Sequence, residues 1–493
     1  MSKNPKLSPA KFGLLGFQHV FAMFGATVLV PALTGLSVSA TLLFAGLGTL
    51  LFHLITKRKV PAFLGSSFAF LGGYGAVAKL VSDHNAALEE GVAAVNWIPY
   101  AGVGVACAGL LYVVLAGLFK AFGTARVMRF FPPVVTGPII ICIGMILANS
   151  AINNCDDNWL IALLAVGIVI VCNIWGKGMV KIVPILLGVV GSYAVAALVG
   201  QFWGQEILFG QVLAEDGTVI TEGTKYIAAF GNESMRLFTV DALNNLKTAP
   251  WIGLPFQMKD TVFSFATEGV NGGLLASAIA MTMPIALATI IEHIGDMCAI
   301  SSTVGENFIE DPGLHRSLMG DGLATAMASV FGAPANTTYG ENTGVLALTK
   351  VYDPKVVRLA AVIAVLFSFC PKFAALISLM PAATIGGVSL ILYGMISAVG
   401  VRNVVENQVD FTKSRNIIIA ALIMGLSLGI NFSATGAIVL GPVSLSGLAV
   451  GALVGILLNA ILPGNDYEFG TNQLGDTSVN FQQGIDRAGT KKR

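Results

Sequence analysis

Apolar stretches about as long as a bilayer is thick recur from one end of this chain to the other, and no other feature constrains its fold more. A helix needs roughly 20 consecutive apolar residues to cross the hydrocarbon core. The sequence offers about fourteen such candidate spans, the first at 13–33 and the last at 445–463. Inside hydrocarbon no water meets a backbone N–H or C=O, so only helices and closed barrels can span. Runs this continuous read as helices. Only 11% of the 493 residues are charged and the mean hydropathy is +0.79, whereas soluble domains carry about 25% charge. The expected fold class is an all-α polytopic membrane protein in a lipid bilayer. A net charge of +1 argues against nucleic acid as a partner.

Basic residues orient the spans. If the N-terminus is cytoplasmic, most of the 28 basic residues fall on inside segments, among them Lys57, Arg58 and Lys59, Arg126 and Arg129, and Arg402, Lys413 and Arg415. Short outside loops are instead acidic, with Asp83, Glu89, Asp156 and Asp157. That is the positive-inside pattern, and it places both termini in the cytoplasm. One long segment, 203–271, reads as an extracytoplasmic loop, the one soluble piece and an outward-facing insertion. Within it, 211–220 reads as a small β-hairpin around Asp216-Gly217. The tail, 464–493, reads as polar and cytoplasmic.

Ionisable residues at membrane depth are rare and mark function. Excluding span ends, they are His19, Glu292, His293, Asp296 and Glu341. Glu292 and Asp296 stand four apart on one helix face, and Pro284 predicts a kink before them. Glu341 belongs to the run Thr337-Thr338-Tyr339-Gly340-Glu341-Asn342-Thr343-Gly344, which resembles Ser66-Ser67-Phe68 in the first half. Gln18-His19 likewise resembles Glu292-His293 at nearly the same offset. Two matches at nearly one offset suggest a duplication, and seven spans per half force the second copy to insert upside down, an inverted repeat typical of carriers. The third span, near 62–80, and the tenth, near 338–350, are expected to begin with short β-segments that can pair with each other, each followed by a half-helix whose positive N-terminal end faces a ligand.

Carboxylates with few cations suit a cation, or a neutral ligand bearing N–H donors, and disfavour an inorganic anion. Phe68 and Tyr339 could offer flat surfaces to a planar ring. A carboxyl group at membrane depth can also exchange a proton, which offers coupling without other machinery. GxxxxGK[ST] is absent, so no nucleotide-binding loop drives the process. The six cysteines form no CxxC pair, and no metal site, cofactor site or nucleophile–base pattern emerges, so an enzyme is not expected. A passive channel would show a polar stripe along several spans, whereas the polar residues here cluster at two short segments.

Glu341-Asn342-Thr343-Gly344, four residues, then Thr349-Lys350 resembles the signature of the nucleobase–ascorbate transporter (nucleobase:cation symporter-2) family. The similarity extends through Gln18-His19, 64–70, Glu292-His293 and 311–316, covers nearly all spans, and is greatest to the bacterial uracil permeases. The resemblance implies fourteen spans in two inverted seven-span repeats, in the bacterial inner membrane and as a homodimer. It implies a core domain of 1–125 and 272–379 moving against a gate domain of 126–202 and 380–463. Glu292 and Glu341 would hydrogen-bond the base, with Phe68 against its ring and the Tyr339 and Gly340 backbones beside it. His19 would brace the span-10 segment, with Gln18, Ser67, Thr338 and Asn342 supporting. The implied activity is uracil:proton symport, with Asp296 and Glu292 as candidate proton carriers. One departure matters: a uracil permease type carries histidine where this chain has Asp296, and purine-selective relatives carry aspartate in that helix. A xanthine or other purine symporter therefore stays open, as does an anion exchanger of the same fold.

Overall fold

The computed structural model describes residues 8–89, 93–123, 126–127, 129–210, 212–213, 219–221, 223–440 and 443–464. Its helices are α1 Pro9–Thr34, α2 Val38–Ile55, α3 Leu71–Ala86, α4 Trp97–Phe122, α5 Pro133–Cys155, α6 Trp159–Ile174 and α7 Pro184–Trp203. After the long loop come α8 Gly272–Thr282, α9 Ile285–Val304, α10 Leu314–Val330, α11 Gly340–Thr349, α12 Pro354–Ser368, α13 Pro371–Ser378, α14 Ala382–Glu406, α15 Ser414–Asn431 and α16 Gly447–Ile461. By length and composition, 8 described helices can cross a membrane, or 9 if the α12–α13 pair, bent by 88°, is one broken span. The 272–301 span breaks at Pro284, the kink expected from the sequence, where the proline N-caps α9.

The helices pack in two groups. In one, α4 lies on α10 and α8, α2 lies on α12 and α10, and α1 lies on α12. In the other, α5 lies on α14 and α15, α6 on α7 and α14, and α15 on α16. With little hydrophobic drive between helices in lipid, close backbone approach sets such contacts, and small residues permit it. At the α4–α10 crossing a Cβ on Gly109 would meet the Gly322 carbonyl at 2.5 Å, and one on Gly322 would meet the Gly109 carbonyl at 2.5 Å. Several buried hydroxyls find partners within their own helices: Thr49 donates to Ala45 O (2.8 Å), Thr282 to Ala278 O (2.8 Å) and Ser329 to Thr325 O (2.8 Å). This removes the cost of burying an unpaired polar group.

The two half-spans meet where expected. Leu64–Ser66 and Asn336–Thr338 form a two-stranded antiparallel sheet, Leu64 opposite Thr338 and Ser66 opposite Asn336. All six residues are buried. Tyr339 N–H donates to Phe63 O (3.0 Å) and Ser67 N–H to Ala335 O (2.8 Å), extending the ladder at both ends. Each strand also takes a hydroxyl from a neighbouring helix. Thr49 Oγ1 accepts the Leu64 N–H at 2.9 Å, and Thr325 Oγ1 accepts the Asn336 N–H at 3.2 Å. Extended backbone thus survives at membrane depth because protein satisfies its polar groups.

The long loop holds more structure than the hairpin read from sequence. Val212–Leu213 does pair with Val219–Thr221, while the turn between them lies outside the described residues. A second sheet joins Gly204–Phe209, Thr224–Ala229 and Arg236–Thr239, followed by a helix at Val240–Thr248. Arg236 pins this sheet to the α5–α6 turn: its guanidinium meets Asp157 at 2.6 Å and stacks 3.8 Å above the Phe209 ring. Residues 465–493, the expected cytoplasmic tail, lie outside the described residues.

Candidate functional site

A cavity of about 440 Å³ lies between the two helix groups, against the strand crossing. One wall comes from the first group: Phe68 and Ala69, Glu292, Gly295, Asp296 and Ala299 of α9, and Thr337 to Gly340. The facing wall comes from the second: Thr136, Ile140 and Ile143 of α5, and Leu392, Met395, Ile396, Val399 and Asn403 of α14. The volume sits within the range of small-molecule sites, roughly 300–1,000 Å³.

The chain forms this wall for local reasons. The strand Asn336–Thr338 cannot continue past Tyr339, which N-caps α11 without a side-chain cap of its own. The first N–H groups of a helix have no partner inside it. They therefore carry partial positive charge toward whatever lies beyond Gly340. A Cβ added at Gly340 would meet nothing within 4 Å, so the backbone there borders open space. The partner half-span does the same at Phe68–Phe70, a single 3-10 turn that leads into α3.

Behind the wall the geometry is fixed tightly. Tyr339, 4% exposed, donates its hydroxyl to Ser66 O (2.8 Å), and Ser66 Oγ reaches Thr27 O (2.9 Å). Gly65 is where the Tyr339 ring crosses the partner strand, since a Cβ there would sit 2.5 Å from two ring carbons and 2.8 Å from Thr27 Oγ1. Thr338 Oγ1 donates to Asp296 Oδ2 at 2.8 Å, tying α9 to the strand. Asn342 Nδ2 donates to His19 O (3.0 Å) and lies 3.1 Å from His19 Nδ1, so α1 braces the first turn of α11.

Of the residues singled out in the sequence, Phe68, Glu292, Asp296, Thr338, Tyr339 and Gly340 come together on the cavity. His19 and Asn342 sit behind it, both 1% exposed. Ser67 is fully buried in the strand crossing, and Gln18 is half-buried on α1 next to His19. Glu341 occupies the first turn of α11, directly after Gly340, but its side chain lies outside the described residues. Two things escaped the sequence reading. The α5–α14 wall carries the polar pair Asn403 and Thr136, with Asn403 Nδ2 donating to Thr136 Oγ1 at 3.3 Å. Asp321 of α10 is a further intramembrane acid, fully buried, with Oδ2 2.9 Å from His293 Nδ1. The Asp321-Gly322 pair inside the apolar run 315–333 was the signal for it.

Chemically, one wall offers carboxylates that accept N–H donors, and a helix start beside them offers N–H groups that meet carbonyls. Phe68 supplies an aromatic surface, and the second wall is mostly apolar. This arrangement suits a small, flat, neutral molecule with donors and acceptors on its edges.

A family model described as "Permease family" matches residues 10–436. A uracil permease of Bacillus caldolyticus is 38% identical over 461 residues, covering 91% of each chain. One from Bacillus subtilis (strain 168) is 36% identical, covering 92% of this chain and 94% of its own. A uracil permease of Escherichia coli (strain K12) is 33% identical, covering 91% and 90%. Among solved structures, the transmembrane domain of the cyanobacterial bicarbonate transporter BicA aligns at TM-score 0.53 and 14% identity, over 92% of this chain and 98% of that one. SLC26A9 aligns at 0.56 and 12%, over 91% and 64%. At such identities these last two speak for a shared fold alone.

Proposed function

The chain belongs to the nucleobase–ascorbate transporter (nucleobase:cation symporter-2) family of permeases, and from that premise we propose that it imports uracil together with a proton. It is a multi-pass membrane transporter, not an enzyme. The observation that carries the uracil reading is the cavity wall on which Glu292 and Asp296 stand beside the start of α11 at Gly340. Uracil has two ring N–H donors and two carbonyls. Glu292, with Glu341 in the first turn of α11, takes the N–H groups. Backbone N–H groups at the two half-helix starts meet the carbonyls, and Phe68 lies against the ring.

The transport cycle we propose is alternating access in a bacterial inner membrane. Fourteen spans form two inverted repeats, both termini are cytoplasmic, and the carrier is a homodimer. Support for the repeat comes from the packing: α4 on α10 and α12 on α2 are the same contact exchanged between halves, as are α6 on α7 and α15 on α16. The paired hydroxyls of Thr49 and Thr325 at the two strands follow the same exchange. The core domain, 1–125 and 272–379, carries the base and rocks against the gate domain, 126–202 and 380–463. The cavity at their seam is where such a motion opens and closes a path. Protonation of Asp296 or Glu292 favours binding from outside, and both cargoes leave inside.

A purine is the second reading. Asp296 favours it, and a cavity of about 440 Å³ admits two fused rings. Competition for bound radiolabelled uracil by unlabelled uracil, thymine, xanthine and hypoxanthine on the purified protein decides between them. Uracil should compete most strongly. Displacement by xanthine at lower concentration than by uracil overturns the assignment.

A further inference from the structure

The long loop carries an uncharged stretch, 248–258, between two exposed lysines, Lys247 and Lys259. Within it Trp251 is 73% exposed, Ile252 84% and Leu254 81%. A water-facing loop has no reason to present three large apolar side chains together. Nor is the stretch loosely placed. Gly253 N–H donates to Phe369 O (3.1 Å), Lys372 N–H donates to Pro250 O (2.9 Å), and Ser37 Oγ donates to Pro255 O (3.3 Å). Phe256 stacks edge-on against Phe331 at 5.3 Å. The backbone is therefore fastened to the elbow between α12 and α13, where an apolar span breaks, and to the α1–α2 turn.

We infer that residues 249–258 lie in the headgroup–acyl boundary of the bilayer, with Trp251, Ile252 and Leu254 inserted among the lipids. Three observations single out lipid as the occupant. The patch is continuous with the exposed apolar surface of the elbow, where an apolar span breaks and Leu366 is 67% exposed and Phe369 40%. It sits at the level of span ends, the depth at which tryptophan concentrates in membrane proteins. Its flanking lysines can reach lipid phosphates while their stems cover apolar surface. The loop is thus not purely aqueous: its sheet is pinned near the α5–α6 turn by Arg236, and its second half is seated in the membrane beside the elbow.

The test uses the full-length protein in phosphatidylcholine vesicles, with or without bromine on the acyl carbons nearest the headgroup. Wild-type emission minus that of Trp251→Phe isolates one of the five tryptophans. Brominated lipid should cut this difference emission by half or more, and aqueous iodide should leave it nearly unchanged. Strong iodide quenching with no bromolipid effect would make the stretch an aqueous loop and overturn the inference. Insensitivity to both quenchers would mean that protein covers the patch, and would overturn it equally. Trp251→Tyr supplies the same difference if the Phe variant expresses poorly. None of these outcomes depends on what the protein carries.

Discussion

Gly65→Ala probes whether the strand crossing sets the position of the site. A Cβ at Gly65 would lie 2.5 Å from Tyr339 Cε2 and Cζ, about 1 Å inside an ordinary carbon–carbon contact. The ring must therefore shift by roughly that amount. It cannot do so freely, because its hydroxyl is bonded to Ser66 O at 2.8 Å and its backbone N–H to Phe63 O at 3.0 Å. Overpacking of this kind costs about 1–3 kcal/mol, and losing the Tyr339–Ser66 bond adds about 1 kcal/mol. A stability loss of about 2–4 kcal/mol is expected. Gly340, the next residue, moves with Tyr339 and alters the cavity wall. A loss of one well-placed contact, about 1.4 kcal/mol, makes uracil binding roughly tenfold weaker. Thermal unfolding in detergent with and without uracil, together with equilibrium binding of radiolabelled uracil, measures both effects. A folded variant with unchanged affinity would refute the idea that the crossing positions the base.

Gly340→Ala should behave oppositely, since its methyl enters open space: the fold stays as stable as wild type, while uracil affinity falls in the same binding assay. Asn342→Ala removes the brace to His19; it should cost about 1–3 kcal/mol in stability and weaken binding, with the decline in melting temperature read by thermal shift. Arg236→Ala breaks a largely buried pair with Asp157; a loss of about 2–4 kcal/mol confined to the loop sheet is expected, seen as faster proteolysis within 204–239 with uracil affinity unchanged. Asp311 is exposed, and its hydrogen bond to Lys59 holds its carboxyl below the usual range. Its contribution is therefore full above the ordinary carboxylate pKa of about 3.9 and fades as pH falls through the lowered value. The melting-temperature gap between wild type and Asp311→Asn should accordingly be present at neutral pH and close on acidification, or in high salt.

The most legible parts of the molecule were those where polar chemistry interrupts an apolar background. Thr337-Thr338-Tyr339 and Ser66-Ser67 stood out because adjacent hydroxyls beside glycine and an aromatic interrupt an apolar run at repeat-related positions, a pattern that suits two short strands paired to each other. Pro284 stood out because it cannot continue a helix. The facing wall of the cavity was illegible for the converse reason. Thr136 and Asn403 are ordinary residues near helix ends and Met395 is an ordinary apolar one in mid-helix, and only the packing of α5 on α14 places them opposite Glu292. The loop sheet escaped for another reason. Its register rests on long-range pairing of 204–209 with 224–229 and on Arg236 reaching Asp157, 79 residues away. Asp321 was passed over among the intramembrane acids, and its pairing with His293 could not be read from sequence because that contact joins two separate helices.

Symport requires that a proton gradient drive uracil through this cavity. Purified protein in sealed proteoliposomes, given radiolabelled uracil and an acid-outside pH jump, tests it most directly. Uracil should rise transiently above its equilibrium level, and a protonophore should abolish the overshoot. Uptake that stops at equilibration whatever the gradient would contradict symport, and no uptake of uracil alongside uptake of xanthine would contradict the substrate.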